Sequence, residues 1–165
     1  MITISEATSK DFKIIREIAY KTWPDVYGEI LSAAQLDYML KAFYSEEVLR
    51  DNVANNGHHF ILAYDGAVCL GFASFQHDYL DDKVTRLHKI YLVPEAQGKG
   101  AGRLLVDAVV AYAKENHSKI LSLNVNRFNK ALTFYQKLGF EVVGEEDIEL
   151  DYGYLMEDYK LEKQL

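Results

Sequence analysis

The 165-residue chain is 49% apolar and 26% charged, the size and composition of one globular domain, and no apolar run approaches a membrane span. Its net charge of −7 disfavours a polyanionic partner such as DNA and suits a cationic one. One cysteine, Cys69, excludes an internal disulfide framework and a cysteine-rich metal site; with no leader pattern at Met1–Ser5, the expected compartment is the cytoplasm.

Ile2-Thr3-Ile4 reads as a short strand. Thr8 and Asp11 form a capping box for a helix carrying Phe12, Ile15, Ile18 and Ala19, expected to end near Trp23-Pro24. Ser32 with Gln35 starts a second helix bearing Leu36, Met39, Leu40 and Phe43, and Ser45-Glu46-Glu47 caps a third. His59 to Tyr64 and Val68 to His77 read as strands, with Asp65-Gly66 as the hairpin turn between them. Thr85 to Val93 is a longer strand. A helix runs from Gly100 with Leu104, Leu105, Ala108, Val109 and Tyr112 on one face. Ile120 to Val125 is a strand, and Asn129 to Leu138 a helix stopped by Gly139 as a left-handed cap. Glu141 to Leu150 and Tyr154 to Leu161 close the chain as strands. The order βααα-βββ-α-β-α-ββ predicts a single α/β (α+β) domain over 1–165, with a mixed, mostly antiparallel central sheet flanked by helices.

Gln97-Gly98-Lys99-Gly100-Ala101-Gly102-Arg103 joins a strand to a helix N-terminus. Unpaired N–H groups and the positive end of a helix dipole suit an anion there, and glycines let it approach the backbone. Lys99 and Arg103 add positive charge. A P-loop requires Lys then Ser or Thr after the last glycine; Arg103-Leu104 follows instead. A dinucleotide fingerprint requires another glycine spacing and a parallel βαβ unit. The pyrophosphate of coenzyme A, or a glycine-rich turn without ligand, remains.

Gln97-x-x-Gly100-x-Gly102, followed by Asn129-x-x-Ala131-x-x-x-Tyr135-x-x-x-Gly139-Phe140, resembles the two signatures of the GCN5-related N-acetyltransferases (GNAT), in order and separated by one helix and one strand. The resemblance covers roughly the C-terminal half. It implies acetyl-CoA as co-substrate and no metal. It also implies a sheet splayed between the strand ending near Val93 and the strand beginning near Ile120. Ile90, Tyr91 and Leu92 would pair their backbones with the pantetheine arm. Gln97, Gly98, Lys99, Gly100, Ala101, Gly102 and Arg103 would cradle the pyrophosphate, and Asn129 would hydrogen-bond the arm. Tyr135 maps to the family's general acid, which protonates the departing thiolate; on residue type alone it reads equally as a core aromatic.

The attacking amine must lose a proton, and its ordinary pKa of about 10.4 keeps it charged at neutral pH. At one position where relatives carry a glutamate base this chain has Asn124, which cannot serve. His88, on the strand before the loop, matches the placement of the histidine base in arylalkylamine-type members; the plain reading is a hydrogen-bonded strand histidine. The amine site would draw on Trp23, Tyr27, Tyr38, Phe75, Tyr79, Tyr152 and Tyr154, and on the acidic run Glu145, Glu146, Asp147, Glu149 and Asp151. Aromatic walls and carboxylates suit a small cationic amine such as a polyamine, against core aromatics and a solvated hairpin edge. Thr22-Trp23-Pro24-Asp25-Val26-Tyr27 is similar to the matching stretch of bacterial polyamine-type acetyltransferases. Cys69 reads as a small core residue. The expected activity is direct acetyl transfer to a primary amine, with no nucleic-acid or membrane partner and a second copy of the chain as the candidate protein partner. Acetylation of a peptide amine and a non-catalytic coenzyme-A-binding module stand as alternatives.

Overall fold

The computed structural model describes residues 1–165. Seven strands form one sheet: β1 (Ile2–Glu6), β2 (His58–Asp65), β3 (Val68–Gln76), β4 (Val84–Leu92), β5 (Ile120–Asn126), β6 (Glu141–Glu149) and β7 (Leu155–Gln164). Their order across the sheet is β1-β2-β3-β4-β5-β7-β6. The β4–β5 pair is parallel because the chain crosses between them through helix α4 (Ala101–Glu115). All other neighbours are antiparallel. The expected element order and fold class therefore hold.

Both faces of the central strands are covered, which is why β2 and β3 read as nearly unbroken apolar runs. Phe60, Leu62, Leu70 and Phe72 face a core built with α1 (Phe12–Tyr27), α2 (Ala33–Tyr44) and α3 (Glu46–Asn55). Ile61, Ala63, Ala73 and Phe75 face the opposite core, beneath α4 and α5 (Ala131–Lys137). Truncating fully buried Phe72 to Ala would cost roughly 3–5 kcal/mol, since it vacates a packed layer.

Three local expectations are corrected. Helix α1 does not stop at Trp23-Pro24 but runs through Pro24 to Tyr27. Proline cannot donate to the carbonyl of Tyr20, but Tyr20 is an exposed residue where water can take that bond. Trp23 and Tyr27, one turn apart and both buried, hold the continuing helix on the core. The hairpin loop is Gly66-Ala67, because Asp65 still pairs with Val68; Gly66 supplies the positive φ of +61°. Helix α5 begins at Ala131 rather than Asn129, whose side-chain Oδ1 accepts the Ala131 N–H at 2.9 Å. The Thr8–Asp11 capping box is present, and Gly139 ends α5 at φ +92°.

Two irregularities position the site. The β4–β5 ladder covers Val84–Arg86 against Ile120–Ser122 and then stops. Beyond it β5 follows β7 while β4 stays with β3, and the sheet splays open. In β4 a bulge leaves His88 without a partner, since Leu87 pairs with Phe75 and Lys89 with Ser74.

Candidate active site

The splay opens a cavity of about 280 Å³ whose walls come from α1, α2, β4, β5, α5 and β7. Of the residues singled out in the sequence, it gathers Trp23, Tyr27, His88, Ile90, Tyr91, Leu92, Asn124, Asn129 and Tyr135. Gln97, Gly98, Gly100, Ala101, Gly102 and Arg103 line a second hollow of about 410 Å³, which shares Leu92 with the first. Lys99 lies at neither wall; its ammonium is 3.4 Å from Asp65.

The backbone of β4 can be assigned direction from its ladder. The Val93 N–H donates to the Leu70 carbonyl at 2.9 Å. Antiparallel alternation then turns the Tyr91 backbone toward Phe72 of β3, and the peptide groups of Ile90 and Leu92 toward the open gap. Tyr91 thus offers the cavity its ring and not its N–H. Its hydroxyl and that of Tyr27 are hydrogen-bonded at 2.8 Å. Gly71 permits the close approach of β3 here, since a Cβ would lie 2.5 Å from the Tyr91 carbonyl oxygen.

In the loop, Gly98 and Gly100 hold φ of +77° and +76°, and a Cβ on either would project into open space. The first intrahelical bond of α4 runs from the Leu104 N–H to Gly100, so the N–H groups of Gly98, Gly100, Ala101, Gly102 and Arg103 have no backbone acceptor. A cradle with free donors and no side chain in the way fits a pyrophosphate. Gly102 has a different purpose: its Cβ would meet Leu92 at 2.9 Å and Phe134 at 3.2 Å, so it seats α4 on β4 and α5. The Arg103 guanidinium is exposed, 3.9 Å from Asp107.

Tyr135 is 7% exposed and lines the cavity. Burial, with Tyr27 nearby, pushes its phenol well above the ordinary value, so the proton stays on. Asn129 spends its carbonyl oxygen on the start of α5. The histidine at the bulge is less suited to proton transfer than its sequence position implies. His88 stacks on His58 with centroids 4.1 Å apart, and its Nε2 meets the Gln76 Oε1 at 2.9 Å. Burial and the neighbouring His58, Lys89 and Arg86 lower its pKa to about 3, leaving a weak base.

Asp158, which the sequence reading passed over, is 4% exposed on β7 and lines the cavity. Burial raises its pKa above the usual carboxylate range. Asn124 donates from Nδ2 to Asp158 Oδ2 at 3.3 Å and to Glu146 at 3.0 Å, and Asp158 Oδ1 has no partner. Asn124, which cannot itself be a base, thus holds a carboxylate. Only the register of β7 on β5, with Asn126 opposite Asp158, brings this acid inward.

The expected acceptor wall is partly dispersed. Tyr38 packs with Tyr152 and Tyr154 at 5.4 and 5.5 Å, apart from the cavity. Phe75 lies on the opposite face against Tyr112. Tyr79 meets His88 edge-on and carries the Arg86 guanidinium over its ring. The acidic run is partly neutralised, since Arg127 pairs with Glu145, Asp147 and Glu157. Cys69 is half-buried on β3, its thiol 3.6 Å from the Gly71 carbonyl.

Residues 29–162 match the family described as an acetyltransferase (GNAT) domain. The chain belongs to the GNAT acetyltransferase family. A 5-NmdU N-acetyltransferase of Pseudomonas phage PaMx11 is 30% identical over 130 residues, 78% of this chain and 89% of the phage protein. A spermidine N(1)-acetyltransferase of Thermoplasma acidophilum is 25% identical over 146 residues, 86% of this chain and 89% of that protein. In fold the chain is similar to the PaiA N-acetyltransferase of Thermoplasma acidophilum solved with coenzyme A, with a TM-score of 0.82 at 24% identity, covering 100% of this chain and 99% of the other. This GNAT protein is an acyl-CoA-dependent N-acetyltransferase with acetyl-CoA as its co-substrate. No helix is long and apolar enough to cross a membrane.

Proposed function

We propose that the chain transfers acetyl directly from acetyl-CoA to a small primary amine whose ammonium is drawn to Asp158. The observation that carries this reading is the buried carboxylate with an unpaired oxygen, in the same cavity as the proton-bearing Tyr135. Asp158 takes the amine proton, directly or through water. The freed nitrogen attacks the thioester carbonyl; a C–N bond forms and the C–S bond breaks. A gap-facing N–H of Ile90 or Leu92 stabilises the developing oxyanion, and Tyr135 gives its proton to the departing thiolate. The loop N–H groups from Gly98 to Arg103 hold the pyrophosphate, and Asn129 retains its Nδ2 for the arm.

A polyamine acceptor has the name of the spermidine relative in its favour, whereas the phage relative is named for 5-NmdU; the names do not converge on one amine. The acidic hairpin is a weaker support than the sequence suggested, because Arg127 takes up part of its charge. The deciding experiment is coenzyme A thiol release with purified protein, acetyl-CoA and a panel of polyamines, amino acids, aminoglycosides and peptides. Release with small amines is the expected result. Release with peptide amines alone would replace the acceptor class, and binding of acetyl-CoA with no release from any amine would favour a non-catalytic module.

A further inference from the structure

On the same side of the sheet as the α1–α2 layer, the cavity wall contains a lysine that the mechanism does not use. Lys89 follows the β4 bulge, and its side chain lies against the rings of Tyr44 and Phe60, with Nζ 5.3 and 5.7 Å from their centroids. It has no ion pair and no hydrogen-bond partner in the protein. The two cations of the glycine loop differ from it, since Lys99 and Arg103 each face an aspartate. Burial alone lowers the Lys89 pKa to about 8, with no carboxylate near enough to counter it, and the group is still mostly charged at neutral pH.

A cation walled by aromatic rings and left unpaired in a ligand cavity is costly to retain without an anion to meet it. Asp158 stands on β7, across the splay from Lys89 on β4. The cavity they share is also lined by the apolar side chains of Trp23, Met39, Phe43 and Met156. The cavity therefore offers a cation to an anion, a carboxylate to an ammonium and an apolar wall to the rest of a ligand.

We propose that Lys89 is an anion subsite of the acceptor pocket, and that the acceptor is a small amine carrying a carboxylate or equivalent anion together with an apolar body, as an apolar amino acid does. Its ammonium faces Asp158, its carboxylate faces Lys89 and its apolar side chain packs on the remaining wall. The inference rests on the reading of the cavity as an acceptor site for small amines, and it narrows that class: a polyamine would bring a second cation to Lys89.

The test compares matched amines with and without the carboxylate: leucine with isoamylamine, methionine with 3-(methylthio)propylamine, phenylalanine with phenethylamine, and spermidine alongside. We expect the carboxylated member of at least one pair to have a kcat/KM at least about tenfold higher. Lys89→Met should lower kcat/KM for that amino acid by about 10²-fold, mainly through KM, and move its decarboxylated partner less than about threefold. Lys89→Arg, which keeps the charge and the stacking, should recover most of the loss, with acetyl-CoA binding unchanged in both variants. Equal losses for both members of a pair, or a wild-type preference for the carboxylate-free amine or spermidine, would overturn the subsite and leave the small-amine reading standing. Turnover of peptide amines alone would overturn both.

Discussion

The two ends of the cavity are built on different principles. On the coenzyme side one continuous segment does the work: β4 ends, the chain turns through Gly98 and Gly100 at positive φ, and α4 begins with unsatisfied N–H groups. What that segment offers is backbone N–H groups, so it is encoded by where side chains are missing. On the acceptor side no segment is sufficient. Tyr27 comes from α1, Lys89 from β4, Asn124 from β5 and Asp158 from β7, single side chains that meet because the sheet pairs as it does. A backbone site tolerates little change in its glycines and is indifferent to the acceptor. A side-chain site is retuned one residue at a time.

That contrast is most sharply tested at the loop. Gly100→Asp places a Cβ at φ +76° and a carboxylate in the pyrophosphate cradle. Acetyl-CoA affinity should fall about 10³-fold, from strain and like-charge repulsion together, as read by calorimetry. Unchanged affinity would mean that the coenzyme is held elsewhere.

On the acceptor side, Asp158→Asn should lower kcat about 10²-fold or more with acetyl-CoA affinity intact. In the unsubstituted enzyme the rate should fall as pH drops through an apparent pKa above the ordinary carboxylate range, because burial raises Asp158 and only its ionised form accepts the proton. Stability runs the other way. A carboxyl with a raised folded-state pKa favours the folded state below its unfolded pKa and loses that contribution as pH rises through the folded value. Asp158→Asn should therefore melt at or above the temperature of the parent at neutral pH. A variant that is both active and less stable would return Asp158 to a purely structural role.

Tyr135→Phe bears on both sides, since Tyr135 lines the cavity and in the proposed reaction gives its proton to the departing thiolate. We expect roughly a 10²-fold loss in kcat with little change in acetyl-CoA affinity, the scale of a lost general acid. An effect that vanishes with a more activated thioester is also expected, because a better leaving group needs less protonation.

The smallest effect should come from His88→Gln. With its pKa lowered to about 3, His88 is uncharged across the working range. We expect kcat to change by less than about threefold and the acidic limb of the rate profile to stay in place. A displaced limb would transfer the base role from Asp158 to His88.

The coenzyme half was legible because its signals are local. Gln97 to Gly102 and Asn129 to Phe140 carry their geometry in consecutive residues, and the same segments frame the two hollows of the structure. Even there the sequence assigned one purpose to three glycines; packing against Leu92 and Phe134 separates Gly102 from the others. The acceptor half misled for a physical reason. Aromatic and acidic residue types were counted by segment, yet Tyr38, Tyr152 and Tyr154 pack edge-on or tilted against one another, and Arg127 draws in part of the acidic run. Composition records which groups are present and not which of them face each other.

By itself the sequence determined the fold class, the order of elements and the glycine loop between β4 and α4, since hydrophobic periodicity, caps and glycine spacing act over a few residues. Tertiary structure alone decided the face on which each strand residue emerges. The bulge that exempts His88 from pairing directs Lys89 against Tyr44 and Phe60, and the register that sets Asp158 opposite Asn126 turns a carboxylate inward. A strand reverses its faces with a shift of one residue. The charged groups that line the cavity were therefore fixed only when the strands paired.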